Sequence, residues 1–504
     1  VISRSSRPAE VRAAGVLLHP TSLPGRFGVG DLGPGADAFL DWAARAGQSL
    51  WQVLPLSPTG AGDSPYGGTS AFAGNPLLIS PEILVEEGLL EEPALDEAPD
   101  PASPEKADFA ATRAWKERVL RRSFVLSRGN PALASAVRAF AQAPEQRGWL
   151  QDWTLFAALK ERSGGRPWSA WEEPLAFRRP EAIARSREEL SEEIAYQEYV
   201  QFLFFHQWER VRRSARARGI ALFGDIPIYL AMDSADVWAH AEIFQLDAER
   251  RPLAVSGVPP DYFSETGQLW GNPLYAWDRL AEAGFGWWVD RLRANLRLVD
   301  LLRLDHFRGF AGYWAVPTAA KTAMEGEWRP GPGLALFRAA EDALGKPLPL
   351  VAEDLGVITD DVRRLLADSG LPGMRVLQFA FSDEESEHRP HRYEPQCVVY
   401  SGTHDNDTAR GWFAAAGAEE RARALDYLGG DGAEIHWDLL RAAYASVAER
   451  AIAPLQDLLG LGSAARMNNP ARPGGNWTWR AREDAFDPVV AERLHRLARL
   501  TGRG

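Results

Sequence analysis

Seven short apolar runs constrain this chain more than any other feature. Each ends in a polar or charged residue, or at loop punctuation. They are "GVLLHP" (15–20), "SLWQVLPL" (49–56), "IALFGDIPI" (220–228), "LVDLLRLDHF" (298–307), "LPLVAEDLG" (348–356), "MRVLQFAF" (374–381) and "QCVVYSGTHD" (396–405). Helical patterns lie between many of them, as in "GADAFLDWAARAG" (35–47) and "DDVRRLLADSG" (360–370). A strand that is apolar throughout buries both faces, which is the habit of a parallel sheet covered by helices. With an eighth strand expected near 463–468, the pattern predicts an α/β chain folded as a (β/α)8 barrel. A doubly wound open sheet is the alternative. The 504 residues leave room for such a barrel and large insertions.

Two spacings exceed a simple βα unit. Residues 58–215 carry Pro-rich loops and then strong helices, so a mainly helical insertion is expected there. In "YQEYVQFLFFHQWERV", residues Tyr196, Tyr199, Val200, Leu203 and Phe204 share one stripe. Residues 229–285 form a second insertion, rich in Gly, Pro, Trp and Tyr. The barrel itself is expected over 1–57 and 216–504. Both insertions follow strand C-terminal ends, where barrel sites are built, and so should wall a cleft. In the acidic loop 91–108, Ser103 is expected to cap a helix with Pro104 at its first position.

The net charge of −13 argues against a nucleic-acid or anionic-membrane partner. No apolar run approaches 18 residues, and "VISRSSRPAEVRAAG" at the start lacks a signal-peptide apolar stretch. One cysteine, Cys397, cannot form an internal disulfide. These features point to a cytoplasmic protein. Nineteen Trp exceed what packing needs, and indole faces commonly hold sugar rings.

Three carboxylates end three of the expected strands: Asp305 in "RLDHF", Glu353 in "VAEDLG" and Asp405 in "SGTHDND". Period-two alternation puts Arg303 and Asp305 on one side of their strand. Retaining glycoside chemistry needs one ionised carboxylate to attack the anomeric carbon and one protonated carboxyl to expel the leaving oxygen. Arg303 would hold Asp305 ionised, while Glu353, emerging from an apolar strand, would be desolvated and keep its proton. "GVGDLG" (28–33) fits a dinucleotide fingerprint, but "HPTSLPGRF" separates it from the preceding strand. "HRPH" (388–391) lacks acidic or thiol partners at metal spacing. No metal or cofactor is expected.

The segments "GVLLHPTSLPGRFGVGDLG", "WQVLPLSPTGAGDSPYGGTSAFAGNPLLI", "GDIPIY", "GQLWGNPLY", "LRLDHFRGF", "VAEDLGVIT", "YSGTHDNDT" and "ARMNNPARPGGNWTWR" together resemble the amylomaltases, the 4-α-glucanotransferases of glycoside hydrolase family 77. The resemblance runs in order from about residue 14 to 483 and weakens around 85–190. It implies a TIM barrel of the α-amylase clan without that clan's C-terminal β-domain. It also implies a retaining transfer of α-1,4-glucan segments to a sugar 4-hydroxyl. On matching positions it implies Asp305 as nucleophile, Glu353 as acid/base and Asp405 as the acid that stabilises the transition state. Arg303, His404 and Asp225 resemble sugar-gripping residues, and Tyr66 the ring that stacks on the reacting sugar. Gln268 and Trp270 fall where the family has a mobile lid, carried here by 261–275. Asp383 and Asn468 match sugar-contacting positions, although "FSDEESEHRPHRYEP" departs from the family's usual form. The partners implied are maltooligosaccharides, amylose and glucose as acceptor, with the chain acting as a monomer. An α-glucan hydrolase of the same clan would keep all three acids but admit water. A glucan-binding protein on an inactive barrel would have lost one.

Overall fold

A computed structural model describes residues 12–60, 62–100, 103–260, 264–472 and 474–504. Eight parallel strands carry the apolar runs: β1 (Ala13–Leu17), β2 (Leu50–Gln52), β3 (Ala221–Ile226), β4 (Leu301–Leu304), β5 (Leu350–Ala352), β6 (Gly373–Val376), β7 (Cys397–Tyr400) and β8 (Arg450–Pro454). Neighbours in chain order pair from β1 to β5 and from β6 to β8, and β8 returns to β1 through Ala13 opposite Arg450. The amide of Ala352 donates to the Pro372 carbonyl at 2.9 Å and brings β5 against the entry to β6. The sheet is thereby closed into a (β/α)8 barrel. Helices such as Pro34–Arg45 and Asp360–Ser369 cover it, each burying one stripe of side chains.

The eighth strand corrects the expectation from the sequence. Residues Ser463–Ala465 form a single 3-10 turn, and the strand is "RAIAP" instead. Its apolar part is only Ala451, Ile452 and Ala453, between a charged residue and a proline. Such a piece is too short and small to read as a buried strand, and its pairing on both sides supplies what its own sequence lacks.

In the helical insertion, Ser191–Ala217 buries the expected stripe of Tyr196, Tyr199, Val200, Leu203 and Phe204. The same helix ties down the loop that leads away from β2. Gln201 accepts from the Gly74 amide and donates to the Gly74 carbonyl, at 2.8 and 3.0 Å. A Cβ at Gly74 would lie 1.8 Å from the Phe204 ring, so only glycine allows this approach. Ser103 does not cap a helix. Lys106 bridges to Trp479 and Ala107 donates to Thr478, which keeps the chain extended until Asp108 caps Phe109–Ser127 by accepting from Ala111.

A second sheet, four-stranded and antiparallel, stands beside the barrel. Its order is Gln268–Pro273, Ala254–Val258, Gly312–Pro317, Glu327–Pro330. Two strands come from the second insertion and two from the segment after β4, where the sequence pattern gave no strand. Residues 261–263 of the expected lid lie outside the described residues. Among the described residues, no helix is long and apolar enough to cross a membrane. The Cys397 thiol is buried, and burial pushes its pKa up to about 12, which leaves it unreactive.

Candidate active site

The three acids emerge at one end of the barrel. The Asp305 amide donates to Ile226 of β3 and the Glu353 amide to Leu304 of β4, both at 3.0 Å. The ladder therefore continues one residue past each strand and fixes both backbones. Asp305 sits just beyond β4, Glu353 just beyond β5, and Asp405 in the turn that follows β7.

Arg303 is the hub. Its Nη1 donates to Asp225 Oδ2 at 2.7 Å and its Nη2 lies 2.9 Å from Asp305 Oδ1. The side chains of Arg303 and Asp225 are 4% and 0% exposed, whereas Asp305 is 26% exposed. Burial works against charge on Arg303, but Asp225 and Asp305 outweigh it and hold its pKa up. Burial pushes Asp225 up to about 7, opposed by Arg303 and by the Tyr66 hydroxyl. Burial also pushes Asp305 above the ordinary carboxylate range, and Arg303 pulls it back. The guanidinium thus works against desolvation at Asp305, as its place on the shared face of β4 implied.

Tyr66 rises from the 3-10 turn Pro65–Gly67, which Ser64 caps by accepting from the Tyr66 amide. Its hydroxyl donates to Asp225 Oδ2 at 2.7 Å. Asp225 is therefore wholly covered, behind Arg303 and Tyr66. Its Oδ1 has no hydrogen-bond partner among the described residues.

Glu353 has different surroundings. Its Oε2 accepts from the His306 amide at 2.7 Å and its Oε1 from the Leu355 amide at 2.8 Å. Among the described residues, no guanidinium is within ion-pair distance of it. Burial pushes its pKa up to about 8, with Arg303 pulling down from a distance. His306 adopts φ of 54°, a left-handed conformation uncommon outside glycine, directly between Asp305 and the short helix Arg308–Ala311. That turn presents its amide to Glu353. Burial lowers the His306 imidazole to about 3, so it is neutral.

Asp405 is held from two sides. Asn468 Nδ2 donates to Asp405 Oδ1 at 2.6 Å, and His404 Nε2 lies 3.4 Å from the same oxygen. Burial pushes His404 down to about 4, against the pull of Asp405. The His404 ring stacks on Tyr66 with centroids 5.2 Å apart and planes at 13°. Trp477 completes this cluster, 5.8 Å from Tyr66 and 5.9 Å from His404.

Trp270 meets the His306 ring edge-on at 4.8 Å, and its Nε1 donates to Gln268 Oε1 at 3.2 Å. The strand Gln268–Pro273 therefore reaches the residue next to Asp305. Asp383 is not joined to this network among the described residues. It is exposed in the loop after β6, where it accepts from the Glu385 amide and the Ser382 hydroxyl. His306, Arg466 and Trp477 were not singled out from sequence. His306 gives its main-chain amide to Glu353, and the Arg466 guanidinium bonds the main-chain oxygens of Asp405 and Asn468, partners that leave no residue pattern to find. Seven of the nineteen tryptophans serve packing: Trp42, Trp51, Trp115, Trp168, Trp208, Trp238 and Trp288 are fully buried. The described residues contain no cluster of His, Cys, Asp or Glu able to hold a metal.

A parallel barrel with three carboxylates at the C-terminal ends of its strands, one paired to a guanidinium and another desolvated, has the arrangement of a barrel enzyme. The family model for 4-alpha-glucanotransferase matches residues 18–485. The 4-alpha-glucanotransferase of Synechocystis sp. is 50% identical over 500 residues, covering 98% of each chain. That of Thermus thermophilus is 47% identical, covering 98% of this chain and 99% of its own. The amylomaltase from Streptococcus agalactiae, solved in complex with acarbose, superimposes with a TM-score of 0.95 at 39% identity, covering 98% of this chain and all of its own. The chain belongs to the 4-alpha-glucanotransferase family, glycoside hydrolase family 77.

Proposed function

We propose that this protein transfers α-1,4-glucan segments to the 4-hydroxyl of glucose or of another α-1,4-glucan by a retaining double displacement. Asp305 is the nucleophile, Glu353 the acid/base and Asp405 the stabiliser of the transition state. One observation carries the assignment: Arg303 pairs with Asp305 at 2.9 Å, while burial raises Glu353 to about 8 with no guanidinium in contact. Of two neighbouring acids, the one with the ion pair and the partly open side chain ionises, and the other keeps the proton at neutral pH.

In the first step Asp305 attacks the anomeric carbon, the glycosidic C–O bond breaks, and Glu353 gives its proton to the departing oxygen. In the second, Glu353 takes a proton from the acceptor 4-hydroxyl, whose oxygen displaces Asp305. The acid is regenerated. Asp405, fixed by Asn468 and beside neutral His404, offers its free oxygen to the sugar's ring hydroxyls. Arg303, Tyr66 and His404 grip the sugar at the cleavage point, and covered Asp225 supports the first two. Gln268 and Trp270 flank the acceptor entry, with Asp383 and Asn468 as outer contacts. The acarbose complex of the Streptococcus agalactiae relative supports a sugar-like ligand for a chain of this fold.

On this reading residues 1–57 and 216–504 are the catalytic barrel, 58–215 a mainly helical insertion subdomain and 229–285 a second insertion carrying the lid loop, in a monomer. The single buried cysteine suits the cytoplasm.

Water at roughly 55 M competes for the glycosyl-enzyme. A positioned acceptor wins through orientation, whose effective molarity reaches about 10⁵ M. Maltotriose alone should therefore give glucose and a ladder of longer maltooligosaccharides with nearly constant reducing ends. A steady rise in reducing ends with no product longer than maltotriose would replace this reading with hydrolysis.

A further inference from the structure

Arg466 lies in the loop beyond β8, far in sequence from the acids. Its Nη2 donates to the main-chain oxygen of Asp405 at 2.6 Å and its Nε to the main-chain oxygen of Asn468 at 2.7 Å. Asn468 is the residue whose side chain holds the Asp405 carboxylate at 2.6 Å, and its amide donates to the His404 carbonyl at 3.0 Å. One guanidinium thus joins the turn after β7 to the segment after β8, and closes a ring with Asn468 around Asp405.

We propose that Arg466 is a positioning residue that fixes where the Asp405 carboxylate points. The inference rests on the reading of Asp405 as the third acid. A half-buried arginine spent on two carbonyl oxygens adds geometry rather than an ion pair. The planar fork reaches both oxygens at once, which a lysine ammonium cannot reproduce. Without it, the two segments still meet through the Asn468 bonds and through Ser463 on Asp407 at 2.8 Å, but the Asp405 main chain loses its anchor and its carboxylate gains freedom. Misplacing a catalytic group by about 1 Å costs on the order of 10²-fold in rate.

The test is maltotriose disproportionation by Arg466→Ala and Arg466→Lys in the full chain, with thermal unfolding in parallel. The expected result for Arg466→Ala is a kcat about 10²-fold lower, with KM and the unfolding temperature little changed. Millimolar guanidinium ion should partly restore the rate. Arg466→Lys should fall between the two. Asp405→Asn combined with Arg466→Ala should be no slower than Asp405→Asn alone, because both act through one carboxylate. Wild-type kcat in Arg466→Ala would overturn the inference, as would a loss that follows unfolding and resists guanidinium. If Arg466→Ala does not accumulate folded, Arg466→Lys decides: a lower kcat at unchanged stability supports the inference and an unchanged kcat rejects it. Full activity in Asp405→Asn would instead remove the reading on which the inference stands.

Discussion

Arg303 and Asp305, two residues apart at the end of β4, face each other with Nη2 2.9 Å from Oδ1, while the same guanidinium holds covered Asp225 at 2.7 Å. Charge at Asp305 is therefore coupled to a pair with almost no access to solvent. Arg303→Ala would leave Asp225 buried without its counter-charge, which costs about 3–5 kcal/mol. Denaturant unfolding should show that loss, and kcat/KM on maltotriose should fall at least about 10²-fold.

Tyr66 separates two contributions. Tyr66→Phe removes the bond to Asp225 and keeps the stack on His404, whereas Tyr66→Ala removes both. Asp225 Oδ2 retains Arg303 in either variant. A bond to a charged acceptor is worth about 1.5 kcal/mol, so kcat/KM should drop roughly tenfold in Tyr66→Phe. Steady-state kinetics should show a further large drop in Tyr66→Ala. Equal losses would mean that the ring face contributes nothing.

Glu353, as the proposed acid, should set the alkaline limb. As a raised carboxyl it is protonated below about pH 8 and loses its proton as pH rises through that value. Initial rates with maltotriose should therefore decline above about pH 8. Glu353→Gln should remove that limb and slow the first step far more with maltotriose than with a glycosyl fluoride, whose leaving group needs little protonation. Equal first-step losses with both donors would exclude the acid role.

Trp270 rests against His306 at 4.8 Å and is 39% exposed. Trp270→Ala should open the acceptor side and raise reducing ends relative to transfer products. Counting both from one maltotriose digest checks this.

The barrel was legible because strands buried on both faces are apolar end to end, and because their last residues turn polar where the chain leaves the core. "RLDHF" and "VAED" show both signs at once. "RAIAP" does not, since three apolar residues between arginine and proline become a strand only by pairing with β1 and β7. "GYWAVP" and "EWRP" escaped notice for a related reason: the first is a short inner strand that ends in proline, the second an edge strand of charges and proline, and both also fit loops. At the site, the facing of Arg303 and Asp305 follows from strand periodicity. The His306 amide on Glu353 and the Arg466 clamp do not, because main-chain partners depend on a left-handed turn and on loop positions that tertiary structure alone determines.

Trapping the glycosyl-enzyme tests the central claim most directly. Glu353→Gln should form the intermediate from a maltooligosyl fluoride and discharge it slowly, since the base for the second step is gone. Digestion and mass spectrometry should then find the sugar as an ester on Asp305, and Asp305→Asn should accumulate none. A label on Asp405, on any other residue, or on no residue while turnover continues would contradict the double displacement through Asp305.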